Sequence, residues 1–241
     1  MDTYEIGRHQ VAIDSRGKVL PATPYSLFLA EHIPNLVGET VVDLGTGSGI
    51  LAIIAKLQGA KCVYVLDLNP EAIDIAMENA KRNRVLNGFV PLPTGSTMLP
   101  LPEGIMVDHL ICNPAQLPMR QPERVDDPFY AGDDGRQMIE GLIREAPAWL
   151  SPTGRLLMTH NSLTDLPASM LLMNSVGLEP RVLAERSIEF RPFIDREWLD
   201  ELGGTKRGLY TTRDGTAYET LYVVEAGTRP EHEDDRARPG H

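Results

Sequence analysis

The sequence predicts a doubly wound α/β fold with a mostly parallel seven-stranded sheet and an antiparallel last strand. From residue 39 onward, short apolar runs rich in β-branched residues alternate with segments of helical period, the pattern of a parallel sheet covered by helices on both faces. Helix caps and glycine stops separate the segments. A chain of 241 residues with 42% hydrophobic content has the size and apolar surface for one such domain.

The first half of this domain shows the clearest element boundaries. The helix after the first strand ends at Gly59, and the next helix begins at the N-cap residue Asn69, with Pro70 in its first turn. Prolines weaken the third strand. The predicted strands are 39–45, 61–68, 88–93 and 107–113, and the predicted helices are 49–59 and 69–85.

The second half contains longer connections. A loop rich in Asp, Pro and Gly follows the fourth strand, and the sequence SPTG is typical of a turn. The predicted loop is 114–135, the turn is 151–154, the helices are 136–150 and 166–177, and the strands are 155–161, 179–190 and 218–226.

Two short segments flank the domain, which we place at residues 39–228. Residues 1–38 are predicted to form a cap, with a hairpin that turns at 15–17 and then a helix, near the carboxyl ends of the strands. Residues 229–241 are polar, charged and proline-containing, which predicts a disordered tail.

Composition excludes several classes of protein. With 34 acidic and 23 basic residues the net charge is −11, which disfavours nucleic acid as a partner because phosphate contacts supply most of that affinity. No apolar run approaches the ~20 residues of a membrane helix, and the amino terminus lacks signal-peptide features, so we expect a cytoplasmic protein. Cys62 and Cys112 both lie in strand patterns, so we expect buried thiols and no metal site.

A glycine turn between the first strand and the first helix is the strongest functional signal. In VVDLGTGSGI, glycines at 45, 47 and 49 permit a tight turn and a close ligand approach. Asp43 precedes the turn, and Asp67 ends the next strand. An acid at that strand end can accept hydrogen bonds from both ribose hydroxyls.

The turn departs from that of a nicotinamide-binding site. The pattern G-x-G-x-x-G would require glycine where Ile50 stands. The Asp43 carboxylate would also repel an anionic pyrophosphate, whereas it would attract a cationic group such as the α-ammonium of S-adenosylmethionine. The two acids and the strand–helix context therefore favour S-adenosylmethionine as the cofactor.

These motifs resemble the cofactor site of class I S-adenosylmethionine-dependent methyltransferases, which have a Rossmann-like fold. The resemblance rests on VVDLGTGSGILAI and VLDLNPEAI. It implies that the glycine loop packs on the methionine part, that the acid holds the ribose, and that Leu68 lies beside the adenine. The residues assigned in this way are Gly45, Thr46, Gly47, Gly49, Asp67 and Leu68, with Ser96, Thr97 and Met98 flanking the adenine after the third strand.

The pair Asn113-Pro114 ends the fourth strand, where open α/β sheets place their active sites. The pair resembles the N-P-P-Y motif of HemK-like methyltransferases, which modify amide or exocyclic amino nitrogens. The Asn113 side-chain oxygen and the Pro114 carbonyl can hold both N–H bonds of such a group and direct its lone pair toward the methyl carbon. Asn113 is also predicted to contact the cofactor, and Thr23 in LPATP matches a further family motif.

The motif here is N-P-A-Q, and this change affects the expected acceptor. Gln116 replaces the aromatic residue that would stack on a planar base, and such stacking is worth ~1–3 kcal/mol per base. We therefore predict that Gln116 contacts a polar, less aromatic acceptor. We predict that His160 is a structural residue rather than a general base. The insert 191–215, which contains Lys206, Arg207 and Tyr210, is predicted to form either a substrate wall or a solvated loop.

The sequence thus predicts an enzyme that transfers a methyl group from S-adenosylmethionine to an amide or amine nitrogen. The family's domain for docking release factors does not fit into the residues before the first strand, so we expect a small-molecule acceptor in preference to a protein. Three alternatives stay open: a tRNA or rRNA base N-methyltransferase, an NAD-dependent dehydrogenase, and a non-catalytic S-adenosylmethionine-binding module.

Overall fold

The computed structural model describes residues 1–92, 103–119, 131–191 and 194–228. Its strands are β1 Asp2–Ile6, β2 His9–Ile13, β3 Thr40–Leu44, β4 Cys62–Leu66, β5 Phe89–Pro91, β6 Val107–Cys112, β7 Leu150–Asn161, β8 Leu178–Glu189, β9 Thr211–Arg213 and β10 Thr216–Thr228. Its α-helices are α1 Pro24–Ala30, α2 Ile50–Leu57, α3 Pro70–Arg82, α4 Gln137–Trp149, α5 Leu166–Ser175 and α6 Arg196–Glu201. None of the helices in these ranges is long and apolar enough to cross a bilayer.

The main sheet has the order β5-β4-β3-β6-β7-β10-β8, with β9 paired to β10. The neighbours from β5 to β7 run parallel, and β10 runs antiparallel to β7 and to β8. This topology confirms the predicted Rossmann-like α/β fold with a mostly parallel sheet and an antiparallel last strand.

Side chains of successive residues in the central strands pack alternately into two apolar layers, one on each face of the sheet. In β3, Val41 packs with the cluster under α1 and α2, whereas Val42 packs with the cluster under α4. Ile111 and Leu110 of β6 divide in the same way. This period of two follows from the pleat of a strand, and burial on both faces is typical of parallel sheets.

The predicted start of α3 is confirmed in detail. The Asn69 side chain accepts a hydrogen bond from the Glu71 amide at 3.1 Å, and Pro70 occupies the first turn. Lys81 and Arg82 lie in the last turn, where cations complement the helix dipole. These local signals place Asp67 and Leu68 immediately before the helix, at the carboxyl end of β4.

The amino-terminal hairpin turns at residues 7 and 8 and not at 15–17 as predicted. Ile6 pairs with His9 in the β1–β2 register, and Gly7 has φ +57°. A two-residue turn with a positive φ matches the twist of paired strands, so Gly7 is the better turn position.

Two asparagines on α3 attach this hairpin to the domain. The Asn83 side chain exchanges hydrogen bonds with the Ala12 backbone at 2.9 and 2.8 Å, and Asn79 does the same with Asp14 at 3.0 and 2.9 Å. Asn79 also donates to the Ser48 carbonyl at 2.9 Å. The chain that follows the hairpin is thereby held next to the glycine turn.

Within the described residues the main sheet has eight strands, one more than the seven predicted. Asp214 and Gly215, with φ of +50° and +82°, form the turn between β9 and β10, and Asp-Gly is a strong two-residue hairpin signal. The predicted turn at 151–154 is wrong, because this segment is part of β7. A register shift between Val107 and His109 of β6 accommodates it, and a Cβ at Gly154 would lie 2.9 Å from the Val107 carbonyl oxygen.

Gly49 offers a stability test with a matched control. Its φ is +82°, and a Cβ would lie 2.9 Å from the Ala76 Cβ, whereas Gly38 has φ +83° and nothing within 4 Å of that position. Gly49→Ala should lower the free energy of unfolding by about 1–3 kcal/mol more than Gly38→Ala does, because only Gly49→Ala adds overpacking to the backbone strain. Urea unfolding of both variants measures the difference, and equal losses would contradict the packing argument.

Candidate active site

A cavity of about 1250 Å³ lies at the carboxyl ends of β3, β4 and β6, where open α/β sheets bind their ligands. Its wall is formed by the glycine turn, the start of α3, the loop after β6, and the segment between β2 and α1 that closes over it. The predicted site residues on this wall are Thr23, Gly45, Thr46, Gly47, Asp67, Leu68, Asn113, Pro114 and Gln116.

The glycine turn forms the floor of the cavity. The Gly45 and Thr46 amides both donate to the Leu66 carbonyl at 2.9 Å, which fixes the turn against β4. Gly47 has φ +52°, and a Cβ there would meet nothing within 4 Å. The space above Gly47 is therefore open, so a ligand can lie directly on the backbone.

Asp67 and Leu68 lie beside the turn. The two Asp67 carboxylate oxygens accept hydrogen bonds from the Gly47 and Asn69 amides, each at 2.9 Å. A carboxylate has about four lone-pair positions, so each of its oxygens can accept more than one hydrogen bond. The Leu68 side chain is 49% exposed and offers an apolar surface next to these acceptors.

Asp43 occupies a different position from the one that we predicted. It is fully buried and lies behind the turn, off the cavity wall, where its Oδ2 accepts from the Thr46 hydroxyl at 2.7 Å and the Ala52 amide at 3.1 Å. Burial raises its pKa to about 7, and within the described ranges Oδ1 has no hydrogen-bond partner. Asp43 therefore stabilises the turn through its hydrogen bonds, and it does not contact a cationic ligand in the cavity directly.

The pKa of Asp43 predicts a pH-dependent stability. Because its ordinary pKa is 3.8 and its folded value is about 7, the folded state binds the proton more tightly. Its contribution to stability is complete below pH ~4 and is lost as the pH rises through 7. Asp43→Asn should reduce the decline in unfolding free energy between pH 5 and 8 by on the order of 1–3 kcal/mol. Urea unfolding at both pH values measures this, with the exposed Asp74→Asn as control; an unchanged decline would contradict it.

The residues after β6 form a chain of hydrogen bonds. The Gln116 amide nitrogen donates to the Thr159 hydroxyl at 2.8 Å and lies 3.3 Å from the Pro114 carbonyl oxygen. The Thr159 hydroxyl in turn donates to Asn113 Oδ1 at 2.7 Å. Gln116 is 5% exposed, so its side chain folds back onto the loop and fixes the orientation of the Asn113 amide.

This network of hydrogen bonds leaves three acceptor oxygens beside the cavity. Asn113 Oδ1 and the Pro114 carbonyl each keep a second lone pair, and Gln116 Oε1 is buried with no partner in the part of the chain that the structure describes. Acceptors grouped in this way suit a ligand that donates N–H bonds. Ser96, Thr97 and Met98, which were predicted to flank the adenine, lie outside the described residues.

Sequence reasoning missed a polar cluster on the same wall. The Tyr25 hydroxyl donates to Glu219 Oε2, and the Asn161 amide donates to the Tyr25 hydroxyl and to the Gln116 carbonyl, each at 3.2 Å. The Arg191 guanidinium lies 4.8 Å from the centre of the Tyr25 ring. In the sequence, Glu219 and Asn161 could have been recognised only as polar residues at positions of their strands that face the apolar interior.

Other polar residues considered from the sequence lie elsewhere. His160 is buried between the Asn161 carbonyl and the Ser169 hydroxyl, each at 2.9 Å, and burial lowers its pKa to about 4. It is therefore a neutral structural residue, in agreement with the preferred interpretation. In the insert, the Tyr210 hydroxyl donates to Asp200, and Arg207 forms an ion pair with Asp165 at 3.8 Å.

The fold is that of class I S-adenosylmethionine-dependent methyltransferases, and comparison with known proteins supports a likeness to this class. The family model of the ribosomal protein L11 methyltransferase (PrmA) matches residues 20–119. This chain is similar to class I S-adenosylmethionine-dependent methyltransferases, and its cofactor is S-adenosylmethionine. The open floor at Gly47 and the acceptors of Asp67 are compatible with that cofactor.

Individual relatives are also methyltransferases. A protein of Methanocaldococcus jannaschii, provisionally named as a protein N5-glutamine methyltransferase, is 28% identical over 173 residues, 70% of this chain and 85% of the relative. The release factor glutamine methyltransferase of Deinococcus radiodurans is 35% identical over 166 residues, 64% of this chain and 58% of the relative. The crystal structure of the 16S rRNA N2 G1207 methyltransferase of T. thermophilus has the same fold, with a TM-score of 0.61 and 17% identity over 95% of this chain and 50% of that one.

These comparisons contradict the predicted preference for a small-molecule acceptor. The named relatives by sequence methylate glutamine side chains of proteins or ribosomal protein L11. The prediction relied on the short segment before the first strand, and the provisionally named glutamine methyltransferase is matched over 85% of its length by this chain. The length of the segment before the first strand therefore does not identify the acceptor.

Proposed function

We propose that this chain methylates a side-chain nitrogen of a protein, and specifically the amide nitrogen of a glutamine. The observation that carries the proposal is the group of acceptors at Asn113 Oδ1, the Pro114 carbonyl and Gln116 Oε1, which the Thr159 hydroxyl and the Gln116 amide hold beside the cavity. The similarity to named protein glutamine methyltransferases supports the same acceptor.

The glycine turn and the end of β4 are proposed to bind S-adenosylmethionine, which supplies a methyl group on a positively charged sulfur. Gly45, Thr46 and Gly47 would lie under its methionine part, because the space above Gly47 is open. Asp67 would accept from the ribose hydroxyls, and Leu68 would cover the adenine. Thr23 closes the cavity from the other side, where its hydroxyl caps α1.

The loop after β6 is proposed to hold the acceptor nitrogen. The lone pair of an amide nitrogen is delocalised into the carbonyl, so the nitrogen must be oriented before it can act as a nucleophile. If Asn113 Oδ1 and the Pro114 carbonyl each accept one N–H bond, the lone pair is turned toward the methyl carbon. The nitrogen–carbon bond then forms as the carbon–sulfur bond breaks, and the electron pair goes to sulfur. Holding two reactants in this way can supply about 7–11 kcal/mol in the best intramolecular models.

The acceptor is tested by incubating the full chain with methyl-labelled S-adenosylmethionine and a purified release factor or ribosomal protein L11. Tandem mass spectrometry then locates the label. We expect the label on a glutamine side chain of the release factor. Label found only in ribosomal RNA added to a parallel reaction, or only on free glutamine, would overturn the proposal.

Thr159 provides a test of how Asn113 is held. Thr159→Val removes the hydroxyl that donates to Asn113 Oδ1 and that accepts from Gln116, so we expect kcat to fall by about 10-fold, the value of one hydrogen bond. Thr159→Ser keeps the hydroxyl and should restore most of the rate. The affinity for S-adenosylhomocysteine, measured by calorimetry, should be unchanged in both variants. A Thr159→Val variant with wild-type kcat would show that the hydrogen bond from Thr159 is not needed to orient Asn113.

A further inference from the structure

Tyr25 and Glu219 form a buried acidic pair next to the proposed acceptor site. The Tyr25 hydroxyl donates to Glu219 Oε2, and the Asn161 amide donates to that hydroxyl at 3.2 Å and to the Gln116 carbonyl at 3.2 Å. Tyr25, Asn161 and Gln116 all line the cavity. A short hydrogen-bonded path therefore connects the cavity wall to Glu219.

Glu219 is in an unusual state for a carboxyl group. It is fully buried, and in the described ranges its Oε1 has no hydrogen-bond partner. Burial raises its pKa to about 7, while the Tyr25 hydroxyl and the Arg191 guanidinium oppose this rise. Its cross-strand neighbour on β8 is the apolar Ile188, and the neutral Asn161 amide of β7 bonds to the Tyr25 hydroxyl. Near neutral pH, Glu219 can both take up and release a proton.

We propose that Tyr25 and Glu219 accept the proton that leaves the nitrogen during methyl transfer. This inference rests on the proposed transfer to a nitrogen. As the nitrogen–carbon bond forms and the carbon–sulfur bond breaks, the nitrogen becomes positively charged and must lose one proton. Once the nitrogen–carbon bond has formed, one N–H bond of the charged nitrogen turns from the loop after β6 to the Tyr25 oxygen, which takes that proton while its own hydroxyl proton passes to Glu219 Oε2. The tyrosine stays neutral, and the proton ends on the carboxylate.

Other titratable groups near the cavity are poorly placed for this role. His160 is neutral and bonded on both ring nitrogens to structural partners. Asp43 lies behind the glycine turn, and Asp67 lies beside that turn, where it accepts from backbone amides. Tyr25 lies on the cavity wall next to Gln116, and burial together with Glu219 raises its pKa well above the ordinary value, so it acts by passing a proton and not as a tyrosinate.

The test compares the pH dependence of kcat in the full-length wild type, Glu219→Gln and Tyr25→Phe. In the wild type, kcat should rise with pH through about 7, as the carboxyl group of Glu219 ionises. In both variants kcat should be lower by about 10²-fold, a usual effect of losing a proton acceptor, and this rise should disappear. The affinity for S-adenosylhomocysteine should stay within a few-fold of the wild type.

Glu225→Gln is the matched control. Glu225 is a second buried glutamate of β10, but it forms ion pairs with Arg155 at 3.0 Å and Arg181 at 2.7 Å and is not part of the cavity wall. This variant should keep the rise of kcat through pH 7. If Glu219→Gln keeps the same rise with the same midpoint, the inference is overturned.

A second measurement needs no acceptor and separates this inference from the proposed function. In the complex with S-adenosylhomocysteine, infrared difference spectra of wild type minus Glu219→Gln isolate the Glu219 carbonyl band from that of Asp43. We expect this band to disappear with a midpoint near pH 7. A carboxylate already ionised at pH 5 would overturn the inference even where transfer to a glutamine is observed. Failure of the wild type to methylate any protein would instead overturn the proposed function.

Discussion

Replacing Asn113 with alanine is expected to lower kcat for methyl transfer by about 10²-fold or more. The reason is that the variant loses the side-chain acceptor that is proposed to orient the nitrogen, and misplacement by about 1 Å can cost this much. The proposed cofactor site at Gly47 and Asp67 stays intact, so the affinity for S-adenosylhomocysteine should change by much less than kcat does. Single-turnover kinetics with labelled cofactor, combined with calorimetry, measure the two effects separately.

Asn174→Ala is the control for this experiment, because Asn174 is an asparagine on α5 that does not line the cavity. It should leave kcat unchanged. If Asn113→Ala folds normally and turns over within a few-fold of the wild type, Asn113 does not hold the acceptor. An equal loss of cofactor affinity and of kcat would assign Asn113 to the cofactor alone.

Replacing Asp67 with alanine is expected to weaken S-adenosylmethionine binding by about 10²-fold or more. Two hydrogen bonds from ribose hydroxyls to a charged group are each worth about 1.5–3 kcal/mol, and a loss of 3 kcal/mol corresponds to about 10²-fold in affinity. The variant also frees the Gly47 amide, which donates to Asp67 at 2.9 Å, and this loosens the floor of the cavity. Calorimetry with S-adenosylhomocysteine measures the affinity directly.

Two comparisons control for charge and shape at Asp67. Asp74→Ala removes an exposed acid from α3 and should bind the cofactor as the wild type does. Asp67→Asn keeps the shape with one acceptor oxygen and should show an intermediate affinity. If Asp67→Ala binds S-adenosylhomocysteine with wild-type affinity, the ribose lies elsewhere, and the proposed orientation of the cofactor is wrong.

Local signals explain why most of the fold was predictable from sequence. The cap at Asn69, the stop at Gly59 and the apolar strands each depend on short stretches of chain, and each of these elements is present in the structure. The errors arose where a long-range contact decides the conformation. The segment at 151–154 lies within β7 at a register shift, between Leu150 and Arg155, which pair with β6. The hairpin turns at Gly7 and not at 15–17, because a turn at Gly7 gives the observed β1–β2 register.

The site was predictable in its positions but less so in its contacts. The strand-end rule places Asp67 and Asn113 at one cavity, because both follow parallel strands of one sheet. Sequence spacing does not show which way a side chain turns, so the burial of Asp43 and the inward fold of Gln116 were missed. Tyr25 and Glu219 are 194 residues apart and meet only because α1 packs over the end of β10.

The most direct test of the central claim is a crystal structure of the chain with S-adenosylhomocysteine and a glutamine-containing peptide of its acceptor. We predict the nucleoside against Gly47, Asp67 and Leu68, with the glutamine amide nitrogen within hydrogen-bond distance of Asn113 Oδ1 and the Pro114 carbonyl and facing the sulfur. A glutamine bound away from Asn113, or a cofactor outside this cavity, would contradict the proposed mechanism.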